Sequence, residues 1–287
     1  MADSRFVKTM DGLGLHVRHY PARRGPFGLP VVCLHGLTRN SRDFEDIAPW
    51  IADLGRDVFA FDMRGRGRSD RSDDPMTYQV PTYVADVIAG LEALGVGRAV
   101  FVGTSMGGLI TMTLSALRPD LVAAAVLNDV GPELDPAGLA RIAGYVGSPA
   151  GPFTSWEAAA EAVRAVNGYA FPDRDLPFWL AFAHRTCIEE GGEIRFDYDT
   201  AIAAPFAAPP PDPAPDLWPV YDGLASGGPV LIVRGATSDI LSTATAERMV
   251  GRAPDARLVT VSGVGHAPML DEPEARAGLC DFLARVD

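Results

Sequence analysis

The chain has 287 residues, 47% of them apolar and 22% charged, and 37 acidic against 25 basic residues give a formal net charge of -12. That composition fits a globular protein long enough for one large domain, or one domain with an insertion, and excludes a disordered chain. The acidic balance opposes phosphate backbones and anionic membrane surfaces, so neither nucleic acid nor a membrane is expected as a partner, and RGRGRSDR at 64–71 is read as an ordinary structured loop.

The stretches RFVKTM and LHVRHY flank DGLG and predict an opening β-hairpin. Strands and helices then alternate. PVVCLHG (30–36) reads as a buried strand, and FEDIAPWIADLG places Phe44, Ile47, Ile51 and Leu54 on one helical face. DVFAFD (57–62) is the next strand, and YVADVIAGLEALG puts Val84, Val87, Ile88, Leu91 and Leu94 on one face of a helix ending at Gly95. Strand RAVFVGT (98–104), helix GGLITMTLSALRP and strand LVAAAVLND (121–129) continue the order. Strands apolar on both faces and separated by helices predict a mostly parallel sheet covered by helices on both sides.

From Pro132 to about Trp218 no strong strand signal appears. SWEAAAEAVRAVN and PFWLAFAHRTCIEEGG read as helical, and PFAAPPPDPAPDLWP (205–219) reads as a stiff, irregular proline-rich connection. The α/β rhythm resumes with strand PVLIVRG (229–235), helix ATAERMVGRAP, strand ARLVTVSG (256–263) and a last helix whose Leu279, Phe282, Leu283 and Val286 share a face. The expected organisation is an α/β core of residues 1–131 and 219–287 with a helical insertion at 132–218. Cys33, Cys187 and Cys280 lack disulfide or zinc spacing, and MADSRFVKTM has no apolar run of signal-peptide length. Reduced thiols and a cytoplasmic location are therefore expected.

The segment VFVGTSMGG follows a buried strand and opens a helix, the context in which a G-x-S-x-G match carries chemistry. In such a turn the Ser105 backbone is strained and its hydroxyl projects above the sheet, Gly103 and Gly107 come too close to bear side chains, and Gly108 lets the helix pack closely. A serine needs a base and a group that orients the base. His266, in SGVGHAPMLDEP after a strand, is the expected base. Asp239, in RGATSDIL, is the expected acid because its loop neighbours that of the base, with Asp129 in LNDVGPE as the rival. His16, His19 and His184 are read as structural. The oxyanion donors expected are the backbone amides of Met106, at the helix start, and Leu37, in the loop shaped by His35 and Gly36.

Together LHGLTRN, FDMRGRGRSD, GTSMGG, GATSDIL and GVGHAPMLDEP resemble the α/β-hydrolase superfamily in its serine-nucleophile branch with a helical cap. The resemblance covers residues 5–131 and 219–287 and is weak across the insertion. It implies an α/β-hydrolase fold in which Asp62 and Arg64 hold loops beneath the site and 132–218 forms the cap. Haloalkane dehalogenases and epoxide hydrolases of this fold carry aspartate at the elbow, so Ser105 argues against them. LTRN after the HG pair departs from the glycine-proline usual in carbon-carbon bond hydrolases of meta-cleavage type. That leaves carboxylesterases and enol-lactonases as the nearest groups.

The expected reaction is cleavage of an ester or lactone through an acyl-enzyme, with no metal or organic cofactor. The alternatives are a carbon-carbon bond hydrolase, or a small-molecule receptor on the same fold with little turnover. Phe153, Trp156, Phe171, Phe178, Trp179 and Phe182 are candidates to line a pocket for an apolar, uncharged small molecule, or else to form the insertion's own core.

Overall fold

A computed structural model describes residues 2–147, 151–207 and 215–286. In chain order the first half comprises β1 (Asp3–Lys8), β2 (Gly14–Tyr20), β3 (Val31–Leu34), α1 (Ile47–Asp53), β4 (Val58–Phe61), α2 (Val80–Leu94), β5 (Ala99–Thr104), α3 (Met106–Leu117) and β6 (Val122–Asn128). There follow α4 (Pro136–Tyr145), α5 (Trp156–Asn167), α6 (Leu176–Thr186), β7 (Cys187–Glu190), β8 (Glu193–Phe196) and α7 (Ala204–Ala207). The chain closes with α8 (Trp218–Gly227), β9 (Val230–Gly235), α9 (Thr243–Arg252), β10 (Ala256–Val261) and α10 (Pro273–Leu283).

Eight strands form one sheet in the order β1-β2-β4-β3-β5-β6-β9-β10. The pairs β1–β2 and β2–β4 are antiparallel, and every later pair is parallel. The parallel strands are apolar at successive positions because both faces are covered. Val32 and Leu34 of β3 pack on one face with Phe59, Phe61 and Phe101, against Val84 of α2 and Ile110 of α3. Val31 and Cys33 pack on the other with Val58 and Val100, against Ile51 of α1 and Phe282 of α10. Leu54, expected on the buried face of α1, instead follows the last helical residue and is 42% exposed. Among the described residues no helix is long and apolar enough to cross a membrane.

The stretch between β6 and β9 holds helices as expected, with side-chain caps at each main start: Asp135 accepts from Ala137 N, Ser155 from Ala158 N and Asp175 from Phe178 N. It also holds strands, which corrects the reading of PFWLAFAHRTCIEEGG as wholly helical. The helix ends at Thr186, and β7 and β8 pair antiparallel around Gly191 and Gly192 at φ 63° and 83°. Two successive left-handed residues make a tight two-residue hairpin turn, and glycine adopts that geometry without steric cost. Of the proline-rich connection, 205–207 belong to α7, 208–214 lie outside the described residues, and α8 begins at Trp218.

Candidate active site

Ser105 sits between the end of β5 and the start of α3 with φ 52° and ψ -114°, a conformation rare for a side-chain-bearing residue. The surrounding glycines make this turn sterically feasible. A Cβ on Gly103 would come within 2.5 Å of the Gly107 carbonyl, one on Gly107 within 2.0 Å of Leu34 O, and one on Gly108 within 2.3 Å of Val130 Cγ1. The elbow is therefore wedged between its own helix, the neighbouring strand β3 and the loop after β6.

The turn brings Ser105 Oγ 2.9 Å from His266 Nε2, and His266 Nδ1 lies 2.7 Å from Asp129 Oδ2. Asp129, not Asp239, thus completes the row of three, correcting the sequence expectation. Asp129 follows β6 at φ 57°, anchored by its N–H to Val233 O, and its buried carboxylate also accepts from Gly235 N and from the Ser238 hydroxyl at 2.5 Å. With a carboxylate at Nδ1, the imidazole carries its proton there and leaves Nε2 to accept from the serine.

Asp239, one residue past Ser238, turns the other way and pairs with Arg141 of α4 through Nε and Nη2 at 2.6 and 2.9 Å. Partial burial pushes its carboxyl up, but the guanidinium outweighs that and holds it below the usual range. Adjacent strand ends do not decide the acid: β6 lies between β5 and β9, and the residue that follows it, Asp129, reaches the imidazole.

Beside the elbow, His35 is fully buried, with Nδ1–H donating to Gly36 O at 2.7 Å and Nε2 accepting from Met63 N at 3.0 Å. Burial pushes its pKa down to about 4, and a neutral ring is what two partners of opposite sense require. A Cβ on Gly36 would lie 3.8 Å from Ser105 Cβ, so the loop ending in Leu37 passes next to Ser105. Met106 is the first residue of α3, where an N–H has no intrahelical acceptor. Asp62 accepts from Ser41 N, Arg68 N and His16 Nδ1, and Arg64 pairs with Asp86 and Asp11, so both tie loops together below the site.

Two unequal spaces meet at Ser105. A cavity of about 270 Å³ runs from Leu37, Ser105 and Met106 past Leu109, Leu134 and Ile142 and is walled chiefly by apolar side chains. A smaller one, about 70 Å³, touches Ser105 and His266 and continues to Arg39, Asp43 and Asn167. The six aromatic side chains offered as pocket lining or as core do not line either space. Phe171, Phe178, Trp179 and Phe182 pack on one another with centroids 5.1 to 6.4 Å apart, Phe153 packs on Phe196, and Trp156 lies against His184. Phe171, Trp179 and Phe182 belong to the same buried apolar cluster as Val31 and Phe44, with Phe153, Trp156 and Phe178 packed against it; Phe182 also borders a cavity near the site, shared with Arg39 and Tyr145.

Sequence reasoning missed several neighbours of the row. Asn128 Nδ2 donates to Thr104 Oγ1 and to Pro268 O, tying the end of β5 to the loop that carries His266, and the Tyr169 hydroxyl donates to His266 O. The pair Asn-Asp at a strand end was the available signal for the first. Among the described residues no group of three or more histidine, cysteine or acidic side chains is placed to hold a metal ion.

Residues 30–273 match the model of the alpha/beta hydrolase fold family. A 3-hydroxybutyrate-oligomer hydrolase from Cupriavidus necator is 37% identical over 275 residues, 93% of each chain. A 2-(acetamidomethylene)succinate hydrolase from Mesorhizobium japonicum is 30% identical over 277 residues, 93% of this chain and 91% of the relative. The crystal structure of an alpha/beta hydrolase from Novosphingobium aromaticivorans superposes with a TM-score of 0.92 at 49% identity, covering 99% of both chains. The fold and these full-length likenesses agree: the chain belongs to the alpha/beta hydrolase fold family and is a hydrolase.

Proposed function

We propose that the protein is a serine hydrolase cleaving carboxylic esters through an acyl-enzyme, with 132–218 acting as a cap over the site. One observation carries this reading: the unbroken hydrogen-bonded row of Ser105, His266 and Asp129 opens onto two cavities at the carboxyl edge of the sheet. His266 Nε2 takes the hydroxyl proton as Ser105 Oγ bonds to the ester carbonyl carbon. The carbonyl oxygen becomes an oxyanion facing the amides of Leu37 and Met106. Its collapse breaks the bond to the alcohol oxygen, which leaves with the proton from Nε2. Water then gives a proton to Nε2 and adds to the acyl carbon, and Ser105 departs as the hydroxyl. Asp129 holds the ring in the productive tautomer and stabilises its cation.

The name of the Cupriavidus necator relative supports an ester substrate, since a 3-hydroxybutyrate oligomer is a chain of ester bonds. Purified protein is expected to turn over p-nitrophenyl butyrate and 3-hydroxybutyrate oligomers, and Ser105→Ala to lower kcat by about 10³-fold or more while keeping the fold. Near-full turnover by that variant, or no ester cleavage by the wild type, would remove the reading.

A further inference from the structure

The smaller cavity has a feature the ester reaction itself does not require: Arg39 lines it together with Ser105 and His266. Arg39 follows Gly36 and Leu37 on the loop beside Ser105, and its backbone N–H donates to Gly36 O at 3.2 Å. A Cβ on Gly36 would touch both Arg39 Cγ at 3.5 Å and Ser105 Cβ at 3.8 Å, so the arginine stem and the serine flank the same strip of backbone. One edge of the guanidinium is fixed, with Nε and Nη2 donating to Asp43 Oδ1 at 3.0 and 2.8 Å. One face is covered by the Phe182 ring at 4.1 Å. Such clamping removes most of the rotamer freedom that a flexible arginine loses on binding.

Arg39 lines both small cavities. Arg39 and Asp43 both border the one that touches Ser105 and His266, but beyond it Arg39 reaches a second space of about 70 Å³ that Asp43 does not border. That space is walled by Thr38, Tyr145, Asn167, Phe182 and Tyr198 among others, with no carboxylate among its described lining residues. A guanidinium in a carboxylate-free, partly apolar pocket is a site for a planar anion, because five donors in a fork match the two oxygens of a carboxylate. The direction is set by proton transfer: the leaving oxygen must receive its proton from His266 Nε2, and His266 borders the Arg39 cavity, whereas the larger apolar cavity touches Ser105 without it.

We propose that Arg39 is the specificity-determining residue of the site, binding a carboxylate carried by the leaving alcohol, so that the substrates are esters formed on the hydroxyl of a short hydroxy acid. The apolar acyl group lies in the larger cavity, the ester C–O bond breaks, and the hydroxy acid departs with the proton from His266 while its own carboxylate stays ionised. An uncharged apolar substrate would use only one of the two sides. The inference rests on the ester-hydrolase reading above.

The test compares a linear 3-hydroxybutyrate dimer bearing its free carboxylate with the same dimer as the terminal carboxamide, using the wild type, Arg39→Gln and Arg39→Lys. Wild-type kcat/KM is expected to favour the carboxylate by about 10- to 100-fold, the value of one charged hydrogen-bonded contact, with Arg39→Gln bringing the ratio near one and Arg39→Lys keeping part of it. The ratio is internal to each variant, so partial loss of folded protein does not alter it. A wild type that cleaves both dimers equally, or an Arg39→Gln variant that keeps the preference, overturns the proposal while leaving ester hydrolysis standing. A wild type that turns over p-nitrophenyl butyrate but neither dimer also overturns the proposal and leaves ester hydrolysis standing. Should it cleave none of the three, the ester reading fails and calorimetry on Ser105→Ala decides separately: carboxylate-dimer binding that is lost on adding Arg39→Gln sustains the anion site, and binding indifferent to that change, or none, overturns it.

Discussion

Asp129 and Asp239 both follow parallel strands at the carboxyl edge of the sheet, and what separates them is backbone direction over one or two residues. At φ 57°, Asp129 swings its carboxylate under the imidazole, where it accepts from Gly235 N, Ser238 Oγ and His266 Nδ1, while Asp239 faces Arg141. Asn at 129 has one oxygen and a donor where three donors converge, so Asp129→Asn is expected to lower kcat by about 10³- to 10⁴-fold through the wrong histidine tautomer. Asp239→Asn should stay within about tenfold of wild type in the same ester assay, since an exchanged ion pair at a partly exposed site is a modest perturbation.

Connectivity of three groups alone does not make a site, as a second row shows. Ser4 Oγ lies 3.0 Å from His16 Nε2, whose Nδ1 lies 2.8 Å from Asp62, but Ser4 is exposed on the edge strand β1 and its oxygen accepts from Arg68 at 2.7 Å. That serine oxygen is held by a cation and is not poised to attack. A fluorophosphonate probe should therefore label Ser105 and leave Ser4 unmodified, with Ser4→Ala retaining wild-type turnover; mass spectrometry of the labelled peptides reads the first outcome.

At the scale of single elements, the strand-to-helix elbow is the part where sequence and geometry coincide most closely. Gly-x-Ser-x-Gly is a steric statement, and the structure supplies the obstacles: Leu34 O for a side chain at 107 and the Gly107 carbonyl for one at 103. Both obstacles are backbone of a buried strand or helix start and have nowhere to move. Gly107→Ala is accordingly expected to cost about 3 kcal/mol or more in chemical denaturation, beyond the usual glycine-to-alanine gain in a helix. The β7–β8 hairpin escaped the sequence reading although Gly191-Gly192 between Glu190 and Glu193 is a turn signal, because the helical reading of the segment ran past the end of α6 at Thr186. The acid of the row left a fainter trace, because φ at 129 depends on Val233, Gly235 and Ser238, about a hundred residues away.

For the molecule as a whole, the mostly parallel, doubly covered sheet followed from apolar runs that need cover on both faces, whereas the order of its strands and the loops above it were set by contacts, buried polar groups among them, that no periodicity reveals. His35 is the clearest of these: fully buried, it joins the Gly36 turn to Met63 after β4, and so links the loop beside Ser105 to the neighbouring strand. Its folded pKa of about 4 lies below the unfolded value of about 6.5. Between those values the unfolded chain binds a proton that the native ring refuses, so this contribution to stability is complete above about pH 6.5 and is lost progressively as pH falls toward 4. Over that window the loss amounts to about 2 to 3 kcal/mol.

Burial of Glu272 and Asp197 raises their carboxyls and acts with the opposite sign, favouring the fold on acidification, so the wild-type curve alone mixes these effects. His35→Gln keeps an acceptor for Met63 N and a donor for Gly36 O but cannot titrate. Subtracting its urea-unfolding free energies from those of the wild type between pH 7 and 4.5 cancels the carboxylates common to both. The wild-type advantage should then shrink by about 2 kcal/mol or more on acidification; a difference that stays constant would mean that the ring takes up its proton in the fold as readily as in the open chain, and that the Met63 N–H does not hold it neutral.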